Sequence, residues 1–298
     1  MTKSHRLDHT PFLAPPGKEI DLADFDPGYT AGFKDKEAAK AALLEDVSEL
    51  AQMQDVFWAS KQYALIIIFQ ALDAAGKDST IKHVMSGVNP QGVAVYSFKG
   101  PSEEERLHPF LWRPMRVLPA AGTIAIFNRS YYEEVLVVRV HPKFLDGQLL
   151  VREQFNKGLD HLWKLRYDNI NNFEKTLAQE NTRVLKFFLN VSRKEQRQRF
   201  LKRLEDPEKN WKFSVADLKE RERWDEYQAA FQDMLRATST EVAPWYIIPA
   251  DKKWFMRACV ADIIATQIRE LHLDYPHVGE REAAALAEAK QQLLAEQS

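Results

Sequence analysis

Residues 63–84 read YALIIIFQALDAAGKDSTIKHV, and the reading of this stretch decides the fold. Tyr63 to Phe69 is an unbroken apolar run, rich in isoleucine and too short for a core helix. It predicts a strand buried on both faces. Ala74-Ala75-Gly76 then supplies a turn of small residues, followed by Lys77, Asp78, Ser79 and Thr80 and by Ile81, Val84 and Met85 at helical spacing. A strand, a small-residue turn, a lysine and a helix make an anion cradle. The turn's N–H groups and the helix dipole attract phosphate, and the lysine neutralises it. Ala75, Gly76, Lys77, Asp78, Ser79 and Thr80 are therefore the candidate phosphate contacts. The consensus G-x-x-x-x-G-K-[ST] is met only in part: Ala71 replaces the first glycine and Asp78 the Ser or Thr. The plainer alternative is a tight turn with an exposed lysine. Asp73 weighs for the cradle, because a carboxylate among phosphates needs a cation between them, and that points to Mg²⁺. A turn-stabilising role is its alternative.

Outward from this stretch, strands alternate with helices. Val93–Phe98, Thr123–Phe127, Arg183–Asn190 and Trp245–Ile248 read as four further strands. Helices are expected at 35–57, 102–118, 147–180 with a break near Gly158, 192–206, 214–238 and 253–271. The pattern predicts an α/β domain with a parallel five-stranded sheet and helices on both faces. Residues 1–34, with Pro11, Pro15, Pro16 and Pro27, form an irregular arm; 35–275 form one domain; 276–298 are a tail of surface helix. In parallel sheets ligands sit beyond the carboxyl ends of the strands. The first and third strands deliver their charges there, Asp73 to Lys77 on one and Asn128-Arg129 on the other.

A phosphate enzyme of this architecture usually has Asp after its third strand to hold Mg²⁺. Asn128 stands there instead. Its amide can orient a metal-bound water but adds no charge. Glu133, folded back, would return the missing carboxylate. Favourable charge in a helix first turn is the equal alternative for Glu133 and Glu134. Residues 193–203, RKEQRQRFLKR, carry a cation excess with Glu195 as their one acid. A charge run is usually a solvated face, but arginines also clamp phosphoryl groups in bidentate fashion. Lys82, His83, Lys99, Arg106, Arg113 and Arg116 form a second basic set. For His83, a capping or surface role outweighs a catalytic one.

Composition bounds the function. The chain has 298 residues, 45% of them hydrophobic, and a net charge of −2, which suits one sizeable core and argues against a dedicated nucleic-acid binder. One cysteine, Cys259, fits a reducing, cytoplasmic setting. The first thirty residues are polar, unlike a signal peptide, and no apolar run approaches the about 20 residues of a membrane span.

The stretches DAAGKDSTIKHVMSGVNPQG (73–92), FNRSYYEEVLVVRVHP (127–142), NVSRKEQRQRFLKRLEDPEKNWKFS (190–214) and DLKERERWDEYQ (217–228) together resemble the family-2 polyphosphate kinases. The likeness runs from about Pro11 to Tyr275. It implies a P-loop kinase-like fold with a helical lid at about 191–215. The implied reaction is reversible, Mg²⁺-dependent phosphoryl transfer between inorganic polyphosphate and nucleotides. Asn128 with Glu133 resembles the class III branch, which implies both AMP to ADP and ADP to ATP. On the same resemblance, Asp73, with Asn128, organises Mg²⁺. Lys77 and Arg129 meet the transferring phosphate. Arg193 and Arg197 belong to the lid, and Lys82 and Arg116 to a polyphosphate channel. A homo-oligomer, dimer or tetramer, is also implied. Two rival readings are an ATP-dependent nucleoside monophosphate kinase and a polyanion-binding module without catalysis.

Overall fold

The computed structural model describes residues 7–296, and a six-stranded sheet organises it. The strands are β1 (Leu13–Ala14), β2 (Ala64–Gln70), β3 (Val93–Ser97), β4 (Ile124–Asn128), β5 (Thr182–Asn190) and β6 (Trp245–Pro249). Their spatial order is β1-β6-β5-β2-β4-β3. β2 lies inside the sheet, parallel to β4 and β5, and all seven of its residues are buried. Leu65, Ile67 and Phe69 enter one core while Ile66 and Ile68 enter the other. A strand covered on both sides has no polar face to alternate with, so its sequence reads as a continuous apolar run.

The expected count of five strands is corrected to six. Five are parallel, with ends within one residue of the sequence reading. The sixth, β1, comes from the arm and pairs antiparallel with β6, Leu13 opposite Tyr246. Two residues ahead of Pro15 carry no alternation, so only the tertiary pairing reveals them. The arm is largely irregular, but it buries Phe12, Ala14, Ile20 and Leu22 and covers the β6 edge, which would otherwise present unpaired backbone.

Helices Lys36–Ser60 and Lys253–Arg269 cover one face together with Lys77–Val84. Helices Leu159–Gln179 and Trp224–Thr238 cover the other. Three expected helices are interrupted. The 102–118 stretch holds only Glu103–Arg106 and Trp112–Met115, because Pro109 and Pro114 each remove a backbone donor. The 147–180 tract becomes regular after Gly158, whose φ is +100°. Residues 214–238 divide at Arg223 into Val215–Glu222 and Trp224–Thr238. The tail forms a wholly exposed helix, Glu280–Ala295.

The second core contains a buried ion pair. Lys186, in the middle of β5, is fully enclosed. Its Nζ donates to Glu174 Oε2 (2.6 Å), Tyr132 Oη (2.9 Å) and the Thr238 carbonyl (2.7 Å). Glu174 Oε1 accepts from the hydroxyls of Tyr131 and Tyr132, both at 2.7 Å. Burial lowers the Lys186 pKa and raises those of both tyrosines.

Candidate active site

β2 ends at Gln70, and the loop it feeds closes on helix Lys77–Val84. Gly76 sits at φ +115°, where a side chain would be strained, and a Cβ there would lie 3.1 Å from Met256 Cε. Lys77 is buried and folds back so that Nζ donates to the Ala71 carbonyl at 2.8 Å. Burial first, then the neighbouring Arg129, lowers its pKa; Asp73, Glu133 and Asp78 oppose them. An arriving phosphate would supply further counter-charge. The hydroxyls of Ser79 and Thr80 both donate to the Gly76 carbonyl, each at 3.0 Å, and so hold the first helical turn. Ala75 and Thr80 are completely buried.

The second half of the site comes from β4. Arg129 follows that strand at φ +64°, and its N–H donates to the Phe69 carbonyl (3.1 Å), which ties the two strand ends together. Its Nη2 donates to Asp73 Oδ1 at 2.9 Å, and Nη1 lies 3.9 Å from Glu133 Oε2. Asn128 turns its amide nitrogen to Asp78 Oδ1 (2.7 Å). The structure thus brings Asp73, Lys77, Asn128, Arg129, Glu133 and Asp78 to one place. The two glutamates divide: Glu133 lies beside Arg129, while Glu134 accepts from Arg166 Nη1 at 3.0 Å. Gln70 satisfies both neighbours with its nitrogen toward Glu133 Oε1 (2.9 Å) and its oxygen toward Ser130. Burial raises the Glu133 pKa, and Arg129 and Lys77 oppose that shift.

Two cavities meet at Arg129 and Glu133. One, of about 290 Å³, is also lined by Asp73, Gln196, Asp217 and Arg221. The other, of about 390 Å³, is lined by Phe98, Lys99, Arg113 and Lys143. Arg193 and Arg197 are exposed on helix Arg193–Glu205; after burial, they are what lowers the pKa of Arg221. Lys82 and Arg116 are exposed and belong to neither lining; Arg116 lies 4.6 Å over the Trp112 ring. His83 Nδ1 is 2.7 Å from the Ser79 carbonyl, a local helix contact.

The sequence reading missed Gln196, Asp217 and Arg221. They lie in stretches so charged that nothing marks which side chain turns inward. Their spacing from one another in space, not in sequence, makes them part of the site.

Among the described residues no cluster of three His, Cys, Asp or Glu forms a closed metal cage. Mg²⁺ does not need one, since it is held by one or two carboxylates together with water and substrate phosphates. Asp73 and Glu133, hard oxygen donors flanking Arg129 in the same cavity, fit that requirement.

Comparison with known proteins gives the family of the chain. Residues 33–275 match the family described as Polyphosphate kinase 2 (PPK2). An ADP-polyphosphate phosphotransferase of Rhodopseudomonas palustris is 46% identical over 279 residues, 93% of this chain and 96% of that one. An AMP/ADP-polyphosphate phosphotransferase of Meiothermus ruber is 44% identical over 262 residues, covering 88% and 93%. The crystal structure of Polyphosphate Kinase 2 from Arthrobacter aurescens TC1 superposes with a TM-score of 0.82 at 37% identity, covering 94% of this chain and 98% of that one. The chain that folds these strand-end charges together therefore belongs to the polyphosphate kinase 2 family.

Proposed function

We propose that the protein transfers phosphoryl groups from inorganic polyphosphate to nucleoside mono- and diphosphates, AMP to ADP and ADP to ATP, and reverses the reaction. The observation that carries the reading is Arg129 held between Asp73 and Glu133 where two cavities meet, with Lys77 beside it. One anionic substrate reaches that point from each side, which is the approach an in-line displacement needs. The acceptor's terminal oxygen is already largely ionised at neutral pH, so no strong base is required. Lys77 and Arg129 then neutralise charge on the moving group. Arg193 and Arg197, on a lid at about 191–215, would add to this. Lys82 and Arg116 would guide the distal chain.

Asp73 and Glu133 would hold Mg²⁺, with Asn128 orienting a water beside it. The ion's chemistry is neutralisation of phosphate oxygens. The two relatives named above differ in the nucleotides their names carry, ADP in one and AMP and ADP in the other. Asn128 followed by Glu133 supports the broader choice for this chain. No helix among the described residues is long and apolar enough to cross a membrane. The reading places the enzyme in the cytoplasm as a homo-oligomer, with the buried Cys259 as a thiol.

The test supplies polyphosphate and Mg²⁺ with AMP alone or ADP alone and analyses the nucleotides. ADP from the first and ATP from the second are expected. Phosphorylation of AMP by ATP but never by polyphosphate would replace this reading with the monophosphate kinase one.

A further inference from the structure

Helix Arg193–Glu205 carries one arginine that is buried against the phosphate loop. Arg193 and Arg197 are exposed, but Arg199 is buried. Its guanidinium donates to four backbone carbonyls. Nη1 reaches Ala74 (3.0 Å) and Ala75 (2.5 Å) of the phosphate loop; Nη2 reaches Ala250 (2.5 Å) and Asp251 (3.1 Å) beyond β6. Nε donates to Glu195 Oε1 at 2.8 Å. Three residues earlier on the helix, Gln196 donates to the Asp73 carbonyl (2.9 Å) and accepts from Arg221 Nη1 (2.6 Å). Three successive loop carbonyls, those of Asp73, Ala74 and Ala75, are thus held by one helix.

A trans peptide points its N–H away from its C=O. With the Asp73 and Ala75 carbonyls turned to the helix, the N–H groups of Ala74 and Gly76 turn the other way. The Ala75 N–H is taken by the Leu72 carbonyl at 3.3 Å. Ala74 lies at φ +59°, a left-handed conformation that costs a non-glycine residue about 1–2 kcal/mol. Such a conformation persists where its surroundings over-determine it. A guanidinium does this better than an ammonium, because its planar fork reaches several acceptors at fixed angles.

We infer that Arg199 is a positioning residue: it fixes the phosphate loop with its free amides turned toward the transferring phosphoryl group, and touches no substrate. The inference deepens the polyphosphate-transfer reading and rests on it.

The test uses the full chain with Arg199→Lys and Arg199→Ala, measuring kcat, KM for ADP and the melting temperature. Arg199→Lys is expected to lose about 10- to 100-fold in kcat, the scale of a misplacement of about 1 Å, while KM for ADP stays within about threefold. Arg199→Ala is expected to lose more, and added free guanidinium to restore part of its kcat without raising its melting temperature. Variants that keep the wild-type kcat per folded molecule would overturn the inference. So would losses that follow the unfolded fraction alone, with no rescue by guanidinium. An active wild type beside undiminished variants sinks this inference by itself; a wild type inactive with polyphosphate sinks the functional reading and this with it.

Discussion

Asp73→Asn is expected to lower kcat by about 10²- to 10³-fold, or roughly 3–4 kcal/mol of barrier, with the fold intact. The amide keeps the size of the side chain and removes its charge. Two things fail together. The position that would hold the divalent cation becomes a neutral donor–acceptor group, and Arg129 loses the carboxylate at 2.9 Å that sets its angle. The side chain is 31% exposed, so an uncharged replacement leaves no buried group unsatisfied. Steady-state kinetics across a Mg²⁺ titration, with a melting curve, separate the parts. The variant should stay slow at saturating Mg²⁺ and melt close to the wild type. Full activity would remove Asp73 from the metal assignment.

Glu174→Ala should have the largest effect on stability, about 3–5 kcal/mol, because it strands the Lys186 ammonium in a fully buried site. It also leaves the Tyr131 and Tyr132 hydroxyls without their acceptor. Removing both charges differs from removing one. The double variant Glu174→Leu with Lys186→Met should recover part of the loss, since an apolar pair of similar volume needs no counter-ion, while the two tyrosine hydroxyls still lack their acceptor. Urea unfolding of wild type, both singles and the double gives the coupling energy. Additive losses would show that the pair does not act as a unit. Tyr131 and Tyr132 stand two and three residues after Arg129, so a collapse of this network also disturbs the active-site turn.

Some of this was legible in the chain because local rules and tertiary packing agree. β2 announced itself because both its faces are buried, and the same burial that makes it apolar places it inside the sheet. Asp73, Lys77 and Arg129 were legible because a parallel sheet gathers its strand ends, so charges at two such ends meet. Elsewhere local sequence was silent. β1 has two residues and exists because β6 needs an edge partner. Arg199 sits in a run where six of eleven residues are Arg or Lys. Its burial is set by carbonyls 51 and 124 positions away. Whether Glu133 folds back was open because helical-turn charge explains it equally well; its position 3.9 Å from Arg129, in a turn whose geometry depends on distant packing, is visible only in the structure. Lys186 interrupts the apolar run Val184–Leu189, and its neighbours from helices Leu159–Gln179 and Trp224–Thr238 and the Tyr131 turn explain it.

The central claim is that these strand-end charges pass a phosphoryl group from one polyanion to another. The direct measurement incubates the protein with ³²P-labelled polyphosphate, unlabelled AMP and Mg²⁺ and follows the label. The account predicts label in the β-phosphate of ADP first and in the γ-phosphate of ATP afterwards, with both appearing about 10²- to 10³-fold more slowly in Asp73→Asn. Unlabelled nucleotide, while the same protein phosphorylates AMP from ATP, would contradict it.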